Sequence, residues 1–169
     1  MNYGQMYAVS FSSANSSAVA KDIFEITAST LSSLVIHSVE IAQVAAALTS
    51  SAIESLTVAV FRGATDADGG GSTGTPVNLN GRSSATATFL TQINSSSPGS
   101  SAGGAAKLVF ARPWNTQTPF VWRPPVNERP TCKLSQRLQV RLGAPAAAMV
   151  IGGTIIVEEI GRIPGSLVK

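Results

Sequence analysis

Between Leu134 and Ile160 the chain reads LSQRLQVRLGAPAAAMVIGGTIIVEEI, and this stretch limits the possible folds more than any other. Leu134, Gln136, Leu138, Val140 and Leu142 share one phase, while Ser135, Arg137, Gln139 and Arg141 share the other. A period of two belongs to a strand with one face against a core and one face wet. Gly143, Ala144 and Pro145 interrupt the pattern. From Met149 to Val157 apolar residues fall in both phases, with two glycines among them, which predicts a strand covered on both faces. The two halves together predict a β-hairpin with one central and one outer strand.

Shorter runs of the same kind precede it. Met6 to Phe11 alternates Tyr7, Val9 and Phe11 with Met6, Ala8 and Ser10, and Ser12 to Ala20 reads as a polar connection. Asp22 to Ala28 is a second strand, and a turn at Leu31 to Ser33 leads to a third, Leu34 to Ile41. Strict alternation in that strand puts Val35, His37, Val39 and Ile41 on one face and Leu34, Ile36, Ser38 and Glu40 on the other. The alanines of Ala42 to Ser55 could start a short helix, but the Ser/Thr centre favours a loop with at most one helical turn. Leu56 to Arg62 is a fourth strand with Leu56, Val58 and Val60 inward.

Gly63 to Gly81 is a glycine-rich surface loop with room for a short strand at Val77 to Leu79. Ala85 to Ile93 alternates, Asn94 to Gly104 is Ser/Gly-rich, and Ala106 to Ala111 is a strand that ends at Pro113. Residues 112–130 hold both tryptophans and five prolines, which predicts an extended loop with at most an edge strand around Phe120 to Arg123. Residues 161–169 form a tail. About nine short strands and long polar loops make this an all-β chain: one antiparallel β-sandwich over residues 1–169, jelly-roll-like, with long Gly/Ser-rich loops.

A 169-residue domain buries roughly 70% of its unfolded surface and folds without disulfides. Its one cysteine, Cys132, allows no internal disulfide framework. Only 12% of residues are charged, so the surface is polar mainly through Ser, Thr, Asn and Gln, a composition suited to lying against other protein. Three bases and six acids precede Lys107, and nine bases and three acids follow from it. Opposite charge at the two ends of a chain could also help copies meet head to tail. Arg137 and Arg141 share a strand face and the other bases are scattered, so no basic groove with stacking aromatics marks a nucleic-acid site. The start, MNYGQMYAVSF, lacks the basic and apolar regions of a signal peptide, and no apolar run is long enough to span a membrane.

Chemistry-bearing motifs fail on their surroundings. Gly69, Gly71 and Gly74 fit the spacing of a dinucleotide fingerprint, but Pro76 and an extended segment follow where a helix should hold the pyrophosphate. Asp66 and Asp68 start like a calcium loop, yet Gly70 and Val77 stand where later ligands belong. Gly99-Ser100-Ser101-Ala102-Gly103 matches a nucleophile elbow inside low-complexity sequence, without the required strand and helix. His37, the only histidine, sits among valines and isoleucines and reads as a core residue held by Glu40 or Glu159. Cys132 reads as a small buried residue. The expectation is no catalytic residue, no cofactor and no metal site.

The 112–130 stretch is the exception. Trp114, Phe120, Trp122 and Arg123 are the residue types enriched at interface centres, and they are the candidate interface residues. The same aromatics could instead cap one end of the sandwich core, and both roles can hold.

Over most of its length the chain resembles the small β-rich capsid decoration, cement or head-fibre-like proteins of tailed bacteriophages. The residues that carry this are Tyr7 to Phe11, Asp22 to Ile26, His37 with Glu40 and Gln43, Arg62-Gly63 ahead of Thr75-Pro76-Val77, Glu128-Arg129-Pro130, Leu138 to Leu142, and Gly153-Thr154 through Glu158-Glu159-Ile160. Their order makes the match, and the Ser-rich connections depart from it. The resemblance implies a structural protein of the virion's capsid surface, often a homotrimer, bound to the major capsid protein, without catalysis and without nucleic-acid or membrane partners. The alternative is a carbohydrate- or receptor-binding sandwich of a fibre or tail.

Overall fold

The computed structural model describes residues 4–16, 19–44, 54–64, 70–95, 106–146 and 149–161. The centre of the 42–55 connection, Asp66 and Asp68, the 99–103 serine motif and the tail after Gly161 lie outside them. The described strands are β1 (Gln5–Ser16), β2 (Lys21–Thr27), β3 (Ser33–Gln43), β4 (Ser55–Ala64), β5 (Ser72–Thr73), β6 (Val77–Asn78), β7 (Leu90–Ile93), β8 (Lys107–Asn115), β9 (Phe120–Trp122), β10 (Thr131–Cys132), β11 (Arg137–Leu142) and β12 (Met149–Ile160). A 3-10 turn, Val126–Glu128, joins β9 to β10.

Two antiparallel sheets of six strands each pack face to face, as the alternation predicts. One runs β10-β3-β12-β1-β6, with β9 pairing on the same side of β3 as β10; the other runs β5-β7-β2-β11-β4-β8. The pairings nest: β1 with β12, β2 with β11, β3 with β9 and β10, β4 with β8. Apart from β4 and β8, which pair within one sheet, the series β1, β2, β3, β4 and then β8, β9, β11, β12 alternates between the two sheets, which is jelly-roll topology.

That topology corrects the expected hairpin. β11 and β12 do not pair; β11 is central in one sheet and β12 central in the other. The Gly143-Ala144-Pro145 break starts a connection that crosses the sandwich, where a hairpin would turn back on itself. The phase assignment in β11 holds. Leu138, Val140 and Leu142 are buried inward, and Arg137, Gln139 and Arg141 face outward. In β12 only one phase, Ile151, Ile155 and Val157, joins the core; Val150 and Ile156 are half-buried on the other side.

The core takes Val9, Ile41 and Ile155 from one sheet and Phe24, Val60 and Val140 from the other, with Phe11 and Phe24 meeting across the gap at 5.2 Å. Burying each such side chain contributes about 1.5–3 kcal/mol. These aliphatic layers hold the two sheets together.

Three strand boundaries differ from expectation for identifiable reasons. β1 runs on to Ser16 past a bulge between Phe11 and Ala14, because its polar end still has β12 to bond to. β8 continues through Pro113 to Asn115; it is an edge strand, so the missing N–H costs no ladder bond. Of Ala85 to Ile93 only Leu90–Ile93 is strand, while Phe89 is buried in the core.

Candidate functional site

His37 is not in the core. The register of β3 against β12 jumps from Ile36↔Val157 to Ser38↔Ile156, so His37 is the extra residue of a bulge. The jump flips the strand's phase, and Leu34, Ile36, Val39 and Ile41 all point inward. His37 turns outward, and its Nε2 lies 2.7 Å from Glu158 Oε2, with Arg129 Nη1 3.5 Å from the same nitrogen. The partner is thus Glu158, not Glu40 or Glu159. Glu158 Oε1 also accepts the Gly4 N–H at 3.2 Å. No described serine or cysteine bonds to the imidazole, so this group fastens two strands and the 3-10 turn region.

Glu159 is the carboxylate that sequence reasoning missed as a structural centre. It is buried, and it accepts the Ser32 hydroxyl at 2.6 Å, the Thr88 hydroxyl, and the Thr88 N–H at 3.4 Å. Ser29 bonds to both hydroxyls. These hydrogen bonds satisfy a polar group that burial takes out of water. The cluster ties the β2–β3 turn and the segment before β7 to the end of β12. Nothing in the local pattern announces it, because Ser29, Thr88 and Glu159 are far apart in sequence.

Cys132 is fully buried, and burial pushes its thiol up from 9.0 to about 12, against the smaller opposing influence of the Gly63 amide and of Arg62 and Arg137. A thiol held neutral is a poor nucleophile. On the outer face of the β11 sheet, Arg137 pairs with Glu25 at 3.0 Å and Arg141 with Asp22 at 2.7 Å, while Arg141 also lies over the Phe61 ring. Gln139 donates to Glu25. The two arginines of the alternating strand are thus engaged by acids on the same face. β5 and β6 occupy Ser72–Asn78, where the glycine fingerprint would need a helix.

The structure brings the aromatic candidates together at one edge. β8 is the last strand of its sheet and β9 an edge strand of the other, and the gap between them is closed by side chains. Trp114 and Phe120 are buried core members, and the Trp114 indole N–H donates to the Thr118 carbonyl at 2.6 Å. For these two the core-capping role holds, and neither is open to a partner. Trp122 is half-buried and stacks on Phe110. The Arg112 guanidinium sits 4.8 Å over Phe120 and donates to the Val121 carbonyl at 3.1 Å, strapping the two edges. Arg123 is exposed and pairs with Glu40 at 2.6 Å.

Around this closure lies exposed apolar surface: Leu108 and Val109 on β8, Val121 on β9, and Val126 in the following turn. A shallow groove of about 470 Å³ runs beside Val121, lined by Glu40, Ala42, Pro119, Gly152 and Thr154 among others. The backbone edge itself is guarded. Lys107, Arg112 and Pro113 stand on β8, and its register slips at Val109, features that disfavour strand-to-strand addition. Contact here would therefore go through side chains.

No family model matches the chain, and no curated protein or solved structure matches it either. No helix among the described residues is long and apolar enough to cross a membrane.

Proposed function

We propose that this protein is a structural component of a tailed-phage virion that decorates or cements the capsid by binding neighbouring subunits of the major capsid protein. The observation that carries the reading is the β8–β9 edge. Exposed Leu108, Val109, Val121 and Val126 surround a rigid aromatic closure, while the backbone is protected from indiscriminate pairing. Apolar side chains on a pre-organised frame lose little entropy on docking. Among the described residues, His37 is committed to Glu158, Glu159 to hydroxyls and Cys132 to the interior. The sequence resemblance to decoration proteins supplies the virion context. In a homotrimer, three such edges would act at high effective concentration, so that modest single contacts sum to firm attachment.

The direct test is co-sedimentation of the purified protein with capsid shells assembled without it. Saturable binding at a fixed ratio to capsomers supports the reading. Absence of binding, together with selective retention on a glycan array, would favour the fibre or tail alternative. Buried Trp114 and the stacked Trp122 offer little free aromatic face for a sugar platform.

A further inference from the structure

We infer that the cleft between the ends of β4, β8 and β10 is a binding site for a small multivalent oxyanion of the phosphate or sulfate type. The half-open cleft spans about 450 Å³, the solvent at its mouth included, and is lined by Arg62, Gly63, Lys107, Lys133 and Gln136. Three segments far apart in sequence each bring a cation to it, and among the described residues no carboxylate lines it. None of Arg62, Lys107 and Lys133 forms an ion pair with a described residue.

The strand register sharpens the point. Arg62 and Lys107 are direct cross-strand partners. Like charges set opposite each other destabilise a sheet, and Lys133 adds a third. Elsewhere in the same sheet the half-buried Arg137 and Arg141 of β11 are matched with acids, Glu25 and Asp22. A place where a chain breaks its own local rule is where a function is expected. A bound dianion removes the repulsion and is held by a planar guanidinium, two ammonium groups and the Gln136 amide. The frame is fixed. Gly63 has φ +82°, Gln136 N–H donates to the Lys133 carbonyl at 3.2 Å, and the Gln136 carbonyl accepts from Ala28 at 2.9 Å. This site does not depend on the capsid reading.

The test is thermal unfolding and calorimetric titration of the full chain with inorganic phosphate and with sulfate, against sodium chloride at matched ionic strength. The expected result is a saturable rise in Tm with either dianion and none with chloride. Lys107→Gln with Lys133→Gln should weaken binding at least tenfold while leaving the ligand-free Tm at or above wild type, since repulsion is relieved. Arg82→Gln, beyond the opposite edge, should bind as wild type. O-phosphoserine separates the sources: binding equal to phosphate means the cleft reads a phosphoryl group carried on a larger molecule, and binding of phosphate alone means a free anion. Equal responses to phosphate and chloride would overturn the proposal, as would an unchanged response in the double variant. So would a response seen only in Asp66→Asn with Asp68→Asn, which would show the chain's own carboxylates filling the cleft.

Discussion

The indole of Trp122 lies on the ring of Phe110, with centroids 4.2 Å apart and planes 22° from parallel, joining an edge strand of one sheet to an edge strand of the other. The stack closes the sandwich where β8 and β9 face each other. Trp122→Ala should therefore cost stability, about 2–3 kcal/mol for a half-buried aromatic. Urea unfolding of Trp122→Ala, Phe110→Ala and the double variant should give a coupling energy of ~0.5–1.5 kcal/mol. Additive losses would mean that the rings do not support each other.

Because Trp122 is partly structural, it is an impure probe of docking. Val121 and Arg123 are cleaner. Val121 is exposed, and Arg123 makes only a surface ion pair with Glu40, of the kind worth ~0–1 kcal/mol. Val121→Asp and Arg123→Ala should shift unfolding by no more than ~0.5–1 kcal/mol. Val121→Asp should weaken capsid binding by about tenfold or more, equivalent to ~1.4 kcal/mol. Unchanged binding in both would remove this edge from the interface.

Glu159 should be the most sensitive polar position. Glu159→Ala leaves the buried Ser32 and half-buried Thr88 hydroxyls beside a cavity, and the expected loss is about 2–4 kcal/mol. Glu159→Gln keeps the shape and should lose less. Denaturant midpoints of the two variants check the order.

Cys132 gives a pH dependence of known sign. Its thiol ionises near 9.0 when unfolded and at about 12 when folded. Between those values the unfolded chain binds fewer protons, so stability fully present below pH 9 is lost as pH rises towards 12. Relative to Cys132→Ala, the wild type should lose up to ~1.4 kcal/mol per pH unit in that window. A constant difference between the two across the window would contradict the burial account. Thiol reagents should react with the wild type only on unfolding.

The two-layer body was legible in the sequence because alternation reports burial directly, as Leu138, Val140 and Leu142 show. What alternation cannot report is which sheet a strand joins: β11 and β12 are sequence neighbours on opposite layers. It also fails at a bulge, and the one in β3 moved His37 from an expected core position to an outward contact with Glu158. The aromatic stretch announced itself by composition. Its division into buried Trp114 and Phe120, stacked Trp122 and exposed Arg123 depends on the cross-sheet meeting of β8 and β9, which lies beyond any local pattern.

The proposed virion role is tested most directly by electron cryo-microscopy of capsid shells incubated with the purified protein. Density for this sandwich is expected on the outside of the shell, with the Val121–Arg123 edge against capsid subunits. A shell without that density, or a chain seated by its opposite edge at β6, would contradict the proposal.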